Sequence, residues 1–215
     1  MISFDRPSID LIQACREFPA SALADAMGRS QCMESGIRPL IEKPRVCGPA
    51  LTVRCYPGDN LMCHYALHSA QAGDVLVVDG GRYTEGALWG GLLTRSALQR
   101  GLGGTVVDGA ARDQEELQQL GYPVYARAVT PRGVFKTMKG EVNVSISCGN
   151  VTVHPGDLVV GDGDGVVVIP RDRVTETLET VREILKKEEQ IRLEIERGGT
   201  IFEKLGLNRF FESQQ

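Results

Sequence analysis

The stretch WGGLLTRSALQRGLGGTVVDGAARD, Trp89 to Asp113, changes its periodicity in the middle, and that change decides the fold class. Its first half belongs to a segment, EGALWGGLLTRSALQRG (85–101), with apolar residues at helical spacing. Its second half is small, then apolar, then β-branched, which is the pattern of a strand buried on both faces. A helix feeding directly into a buried strand is the unit of an α/β sheet. The strand then ends in charge, with Asp108, Arg112 and Asp113 within six residues. That ending is either a solvated turn or a site built where the strand runs out.

The same alternation extends on both sides. SIDLIQACREF (8–18) and PASALADAMGRS (19–30) read as short helices, the second closed by Gly28. VCGPALTVRCYPGDN (46–60) is strand-like and stops at Pro57-Gly58, NLMCHYALHSAQAG (60–73) is a helix, and DVLVVDGG (74–81) is a short buried strand stopping at a double glycine. EELQQLGYPVYARA (115–128) gives a helix and a strand. EVNVSISCGNVTVHPGDLVVGDGDGVVVIP (141–170) reads as consecutive short strands joined by tight Gly/Asp turns. From Arg171 to Arg197 runs a long amphipathic helix with an apolar stripe of Val174, Leu178, Val181, Leu185, Ile191 and Ile195. The order predicts one mixed α/β domain over residues 1–215, a central sheet covered by helices, without the regular alternation of a barrel.

Composition narrows the partners. With a net charge of −4 and both signs interspersed, the chain lacks the basic face that nucleic acid or an anionic membrane requires. The start MISFDRPSID has no signal-peptide core, and no apolar run approaches the length of a membrane span, so a soluble cytoplasmic protein is expected. Six cysteines without a C-x-x-C pair are expected to be reduced core residues.

Several chemistries fall away on spacing. GRYTEGAL lacks the Lys-Ser/Thr of a phosphate loop, and DGDG (162–165) is followed by VVVIP where a calcium loop needs oxygen ligands. His64 and His68 share a helix face beside Cys63, but no third zinc ligand follows at useful spacing. Among six lysines, Lys136 in GVFKTMKG alone has an apolar approach suited to a Schiff-base nucleophile; Lys186 and Lys187 lie on the charged helix.

Two stretches remain. Gly90 and Gly91 bare the backbone where a helix begins, either to let first-turn N–H groups approach an anion such as a substrate carboxylate or to permit tight helix packing. Asp113 can give a hard divalent cation one carboxylate, and Arg112 offers a fixed fork for a keto acid; alternatively the pair caps the helix QEELQQL. Asp108 has no assigned role beyond forming a turn.

In this order and spacing the chain resembles the RraA-like family, which includes class II 4-hydroxy-4-methyl-2-oxoglutarate aldolases and oxaloacetate decarboxylases. SALADAMG, MESGIRPL, VCGPALTVRCYPGDNLMCHYAL, GDVLVVDGG, WGGLLTRSALQRGLGGTVVDGAARD and VHPGDLVVGDGDGVVVIP all resemble family blocks. The resemblance implies a β/β/α swivelling-type sandwich, assembled as a homotrimer or homohexamer. It implies a lyase that cleaves 2-oxo acids through a pyruvate enolate, by retro-aldol cleavage or decarboxylation, with Mg²⁺ or Mn²⁺ as cofactor. Some family members are instead non-catalytic inhibitors of a ribonuclease.

By this match Asp113 binds the metal, Arg112 contacts the pyruvyl oxygen as the catalytic residue, and the substrate carboxylate meets Gly90, Gly91 and the backbone N–H groups of Leu92 and Leu93. An acid on the C-terminal helix of a neighbouring subunit, Glu188 or next to it Glu189, holds a metal-bound water. The family's aldolases carry Asp-x20-Arg-Asp, and here the first Asp falls on Gly91. Glu85 and Asp79 are the nearby candidates to replace it.

Overall fold

Alternation along the central strands sorts the core into layers. In the computed structural model, which describes residues 4–211, β2 (Val46–Arg54), β3 (Val75–Trp89), β4 (Gly104–Ala111) and β5 (Val124–Val129) form a parallel set. One edge of that set carries β1 (Arg38–Pro39) on β5; β6 (Glu141–Val142) pairs with β2. Beyond β7 (Ile146–Cys148) and β8 (Val151–Val153), β9 (Leu158–Asp162) returns antiparallel to β2 and pairs with β10 (Gly165–Ile169). The resulting order is β1-β5-β4-β3-β2-β9-β10.

Odd and even residues of each strand enter different cores, as a two-residue period requires. Leu51, Val53, Leu76, Val78 and Val107 pack under α3 (Leu61–Ser69), α4 (Gly91–Gln99) and α5 (Gln114–Leu120). Their neighbours Ala50, Val75, Val77 and Val106 point the other way, onto the β7–β8 hairpin through Ile146, Cys148, Val151 and Val153. A third core joins Leu158, Val160, Val167 and Ile169 to α1 (Ile9–Arg16), α2 (Ala20–Ala26) and α6 (Val174–Glu196). Sheet, hairpin and helices thus stack as the β/β/α sandwich that the family resemblance implies.

Two boundaries differ from expectation. Strand β3 does not stop at Gly80-Gly81; it runs to Trp89 with register shifts against β4 between Asp79 and Trp89. A Cβ at Gly80 would lie 2.9 Å from the Asp108 carbonyl oxygen, so only glycine lets the two strands stay this close while the chain bulges out and returns. Residues 85–89 are therefore strand, and the helix begins at Gly91. Apolar spacing alone could not separate these because the bulges break the two-residue period there.

The long helix starts at Val174 after a 3₁₀ turn, Arg171–Arg173. Val174, Leu178 and Val181 are buried against α1 and α2, Leu185 packs half-buried on the same core, and the stripe then emerges, with Ile195 42% exposed. Short helix α7 (Ile201–Lys204) follows. All six cysteines are free; five are buried as expected, and Cys32 is exposed. Among the described residues no helix is long and apolar enough to cross a membrane.

Candidate active site

Four parallel strands deliver four loops to one edge of the sheet, the edge at which α/β sheets bind ligands. After β2 comes the turn with Asp59 and Asn60, leading into α3 and His64. After β3 comes Gly90-Gly91, after β4 Arg112-Asp113, and after β5 the loop through Gly133, Val134 and Lys136. Asn60, His64, Gly90, Leu92, Leu93, Arg112, Gly133 and Lys136 line one cavity of about 100 Å³. Asp113 lines an acidic cleft with Glu115 and Glu116, and its Oδ2 lies 3.4 Å from Arg112 Nε.

The backbone fixes this convergence. Arg112 N–H donates to the Trp89 carbonyl (3.0 Å), so the two loops are tied together at their bases. Trp89 Nε1–H donates to Thr94 Oγ1 (2.8 Å) inside the core, which clamps the join between β3 and α4. Asp113 holds the N-cap position of α5 with φ +62°, a left-handed conformation that Asp tolerates better than most residues. Its side chain caps nothing in α5. Its Oδ2 instead accepts the Gly91 N–H (3.0 Å) at the start of α4. The capping alternative for the Arg-Asp pair is therefore set aside: the strained turn aims the carboxylate at the neighbouring loop.

The two glycines have distinct steric reasons. A Cβ on Gly90 would lie 2.8 Å from Asp113 Oδ2 and 3.0 Å from Arg112 Cγ. A Cβ on Gly91 would collide with the Glu116 carboxylate. Gly91 opens α4 and Glu116 lies in α5, so close packing of these two helices is part of the explanation, and two acidic side chains occupy the space that side chains at 90 and 91 would fill. Glu116 is itself held by Arg95 of α4, whose Nε donates to Oε1 at 2.8 Å.

Glu116 is the site residue that the sequence reading missed. It stands three residues after Asp113, one turn into α5, where an acid reads as ordinary first-turn dipole complementation. The signal was available only jointly: an acid absent at 91 and one present a helical turn beyond the Arg-Asp pair. The candidates named for that role are elsewhere. Asp79 accepts the Gly81 N–H and pairs with Arg54 at 3.8 Å, and Glu85 is exposed on β3. Glu188 is exposed on α6, which packs on α1 and α2, and Glu189 pairs with Arg192; within one chain neither lines the cavity.

The remaining candidates sort cleanly. His64 lines the cavity, and partial burial of its ring, then the charge of Lys136, hold its imidazole below the ordinary value. Cys63 is buried with its sulfur 3.6 Å from that of Cys55. Among the described residues no three His, Cys, Asp or Glu side chains gather to hold a metal, so the zinc reading finds no support. Lys136 is exposed at the cavity mouth rather than desolvated, which does not suit a Schiff-base nucleophile.

The donors do fit a hard divalent ion. Magnesium prefers one or two carboxylates and keeps several waters. Asp113, 39% exposed, with Glu116 beside it in an open cleft, is that kind of donor set. The steric relation makes a testable coupling: Gly91→Ala should displace the Glu116 carboxylate and lower activity about tenfold, while adding Gly91→Ala to Glu116→Ala should cost almost nothing further. Equal losses in both backgrounds, in a double-mutant cycle on kcat/KM, would mean that Gly91 acts independently of Glu116.

The chain is similar to several known proteins and solved structures. A protein of Halalkalibacterium halodurans named "Putative 4-hydroxy-4-methyl-2-oxoglutarate aldolase" is 40% identical over 174 residues, covering 81% of this chain and 83% of its own. A 4-hydroxy-4-methyl-2-oxoglutarate aldolase of Thermus thermophilus is 40% identical over 128 residues, 60% of this chain and 77% of its own. Among solved structures, an uncharacterised Pseudomonas syringae protein superposes with a TM-score of 0.83 at 26% identity, covering 94% of this chain and 99% of that one. A Streptomyces coelicolor member of the RNase ES inhibitor RraA protein family superposes with a TM-score of 0.81 at 28% identity, covering 88% and 99%. Residues 20–168 match the family described as Aldolase/RraA, and the chain belongs to the RraA-like family.

Proposed function

We propose that this protein is a divalent-metal-dependent carbon–carbon lyase that releases pyruvate from 2-oxo acids, by retro-aldol cleavage of 4-hydroxy-4-methyl-2-oxoglutarate-like substrates, decarboxylation of oxaloacetate, or both. The observation that carries it is the meeting of Arg112, Asp113, Glu116 and the start of α4 at one sheet edge. The names of relatives 40% identical to the chain support the same reaction class.

Each residue has a task in that chemistry. First-turn N–H groups of α4 at Leu92 and Leu93 suit the substrate carboxylate, because Gly90 has no side chain to cap them. The Arg112 guanidinium faces the 2-oxo oxygen. As the C3–C4 bond breaks, its electron pair moves to form the enolate, and charge grows on that oxygen where the fixed cation holds it. In retro-aldol cleavage the C4 hydroxyl gives its proton to solvent water in the open cleft and an oxo fragment leaves; in decarboxylation the fragment is CO₂. Solvent returns a proton to C3, which gives pyruvate in both. Asp113 and Glu116 would hold a divalent cation, which would supply Lewis acidity to the 2-oxo acid. Glu116 provides at Gly91 the carboxylate that the aldolase pattern places on residue 91 itself.

The apolar residues exposed near the end of α6, Leu193 and Ile195, support assembly into a homotrimer or homohexamer, in which Glu188 comes from a neighbouring subunit. Six free thiols suit a reducing cytoplasm. The testing experiment is pyruvate release from 4-hydroxy-4-methyl-2-oxoglutarate and oxaloacetate, with Mg²⁺ and after chelation. Release that chelation stops is expected; no release, or release indifferent to chelation, overturns the reading. A second reading, a ribonuclease inhibitor, draws on the descriptions of two structural neighbours and has no use for Arg112 and Asp113. Inhibition of a ribonuclease that survives Asp113→Ala would favour it.

A further inference from the structure

Two cysteine sulfurs meet at the base of the turn that follows β2. Cys55 comes directly after that strand and Cys63, eight residues on, lies in the first turn of α3, with the two Sγ atoms 3.6 Å apart. The backbone holds both ends. Cys55 N–H donates to the Asp79 carbonyl at 2.9 Å, and Cys63 N–H donates to the Asn60 carbonyl at 3.0 Å. Between them the buried Asp59 carboxylate accepts the Leu61 N–H at 2.9 Å, inside the turn. It also accepts the Thr137 and Met138 N–H groups, at 2.6 and 3.0 Å, from the loop after β5. The turn is thereby held in one shape, and that shape keeps the sulfurs in contact.

The two thiols differ in what can reach them. Cys63 is wholly buried; its hydrogen bond with Cys55, then burial, push its thiol well above the ordinary value, so it stays an S–H. Cys55 keeps 5% exposure and lines a cavity of about 550 Å³ with Arg54, Tyr56, Pro57, Asp79 and Lys139. Arg54, Tyr56 and Lys139 are exposed, so this cavity is open to solvent. It shares no lining residue with the cavity at Arg112. A small solute entering it meets Cys55 before Cys63. Both thiols are free, and the reaction proposed above uses neither. A reachable thiol with a second thiol poised directly behind it is the arrangement in which a first oxidation is resolved as a disulfide.

We infer that Cys55 and Cys63 are a hydroperoxide-responsive pair, in which Cys55 is oxidised first and Cys63 resolves it to an intramolecular disulfide. The Cys55 sulfur attacks one oxygen of hydrogen peroxide and the O–O bond breaks. Cys55 becomes a sulfenic acid, and the other oxygen leaves as water with the thiol proton. The Cys63 sulfur then attacks the Cys55 sulfur, the S–O bond breaks, and that oxygen leaves as a second water with the Cys63 proton. Two thiols lose two electrons and two protons, and one peroxide is reduced to two waters. A dithiol reductant restores both thiols by exchange. A disulfide spans about 2.05 Å, so closing the bond tightens the ring of residues 55–63, which holds Asp59 and, in the wall of the Arg112 cavity, Asn60.

The test needs no catalytic activity and, in its first arm, no substitution. Reduced wild-type protein is exposed to hydrogen peroxide, then unfolded and alkylated, and the tryptic fragment 55–82 is weighed; it holds Cys55 and Cys63 and no other cysteine. The fragment should lose two hydrogens and take neither alkyl label, and dithiothreitol should restore both labels. Buried Cys148 should keep its label throughout. In the second arm, Cys63→Ala should stop at a Cys55 sulfenic acid that dimedone traps, and Cys55→Ala should leave Cys63 labelled. A wild-type fragment that keeps both labels under peroxide that oxidises exposed Cys32 overturns the pair. So does a fragment that loses its labels only together with Cys148. Oxidation of Cys63 in Cys55→Ala as fast as in the wild type overturns the order of attack, and with it the role of Cys55.

Discussion

Replacing Arg112 with lysine should lower kcat for pyruvate release by about 10²–10³-fold, the range found when a fixed donor to a developing oxyanion is lost. Charge is conserved in that substitution, so the loss would come from geometry. The guanidinium is a rigid fork that lies beside Gly133, with its Nε 3.4 Å from Asp113 Oδ2. An ammonium on a flexible stem can reach Asp113 or the substrate oxygen but cannot hold both positions together. Stability should hardly change, because the side chain is 42% exposed and its ion pair with Asp113 is a surface one. The discriminating measurement is kcat beside thermal unfolding for the same variant. An Arg112→Lys protein that keeps about a tenth or more of wild-type kcat would remove the fork from the chemistry, and a large fall in melting temperature would make the residue structural.

How much of this was readable in the chain depends on the range of the interaction involved. Elements with an unbroken period, such as Val46–Arg54, Leu61–Ser69 and the start of α6, follow from local pattern because burial on one or two faces dictates residue type directly. The course of β3 past Gly80 does not, since it depends on β4 lying against a missing Cβ. At the site, Arg112, Asp113 and the bare glycines were legible because each is a local peculiarity where a strand or helix ends. Glu116 was not legible as a carboxylate of the site, and Lys136 stood out only for an apolar approach that the fold does not give it. An acid in a first helical turn is unremarkable locally, and only the parallel order of β2 to β5 brings these loops together. Asp108 departs furthest from expectation: it forms no turn but lies within β4, 3% exposed.

That departure locates the largest stability effect to be expected in this chain. Asp108 Oδ1 accepts from Arg127 Nε at 2.7 Å, and Oδ2 accepts the Gly149 N–H at 2.8 Å. Gly149 and Asn150, both with left-handed φ, form the two-residue turn of the β7–β8 hairpin. Arg127 also pairs with Glu34, and Glu34 accepts from Arg82 at 3.0 Å and from Asn150 Nδ2 at 2.6 Å. One carboxylate thus fastens the second β layer to the main sheet. Asp108→Ala would leave the Arg127 cation, 14% exposed, with Glu34 but without its buried partner, and would orphan the Gly149 N–H. Breaking a buried pair on one side costs about 3–5 kcal/mol. For a chain of this size that corresponds to a fall in melting temperature of about 6–20 °C. Arg127 keeps Glu34, so the cost falls on the half-compensated charge and on the orphaned Gly149 N–H together, and adding Arg127→Met to the Asp108 variant should restore only the part that the charge contributes. Thermal unfolding of the single and double variants decides it. A loss under about 1 kcal/mol in Asp108→Ala, or a further loss on adding Arg127→Met, would show that the sandwich is held by its apolar faces alone and that this buried pair contributes no attachment of its own.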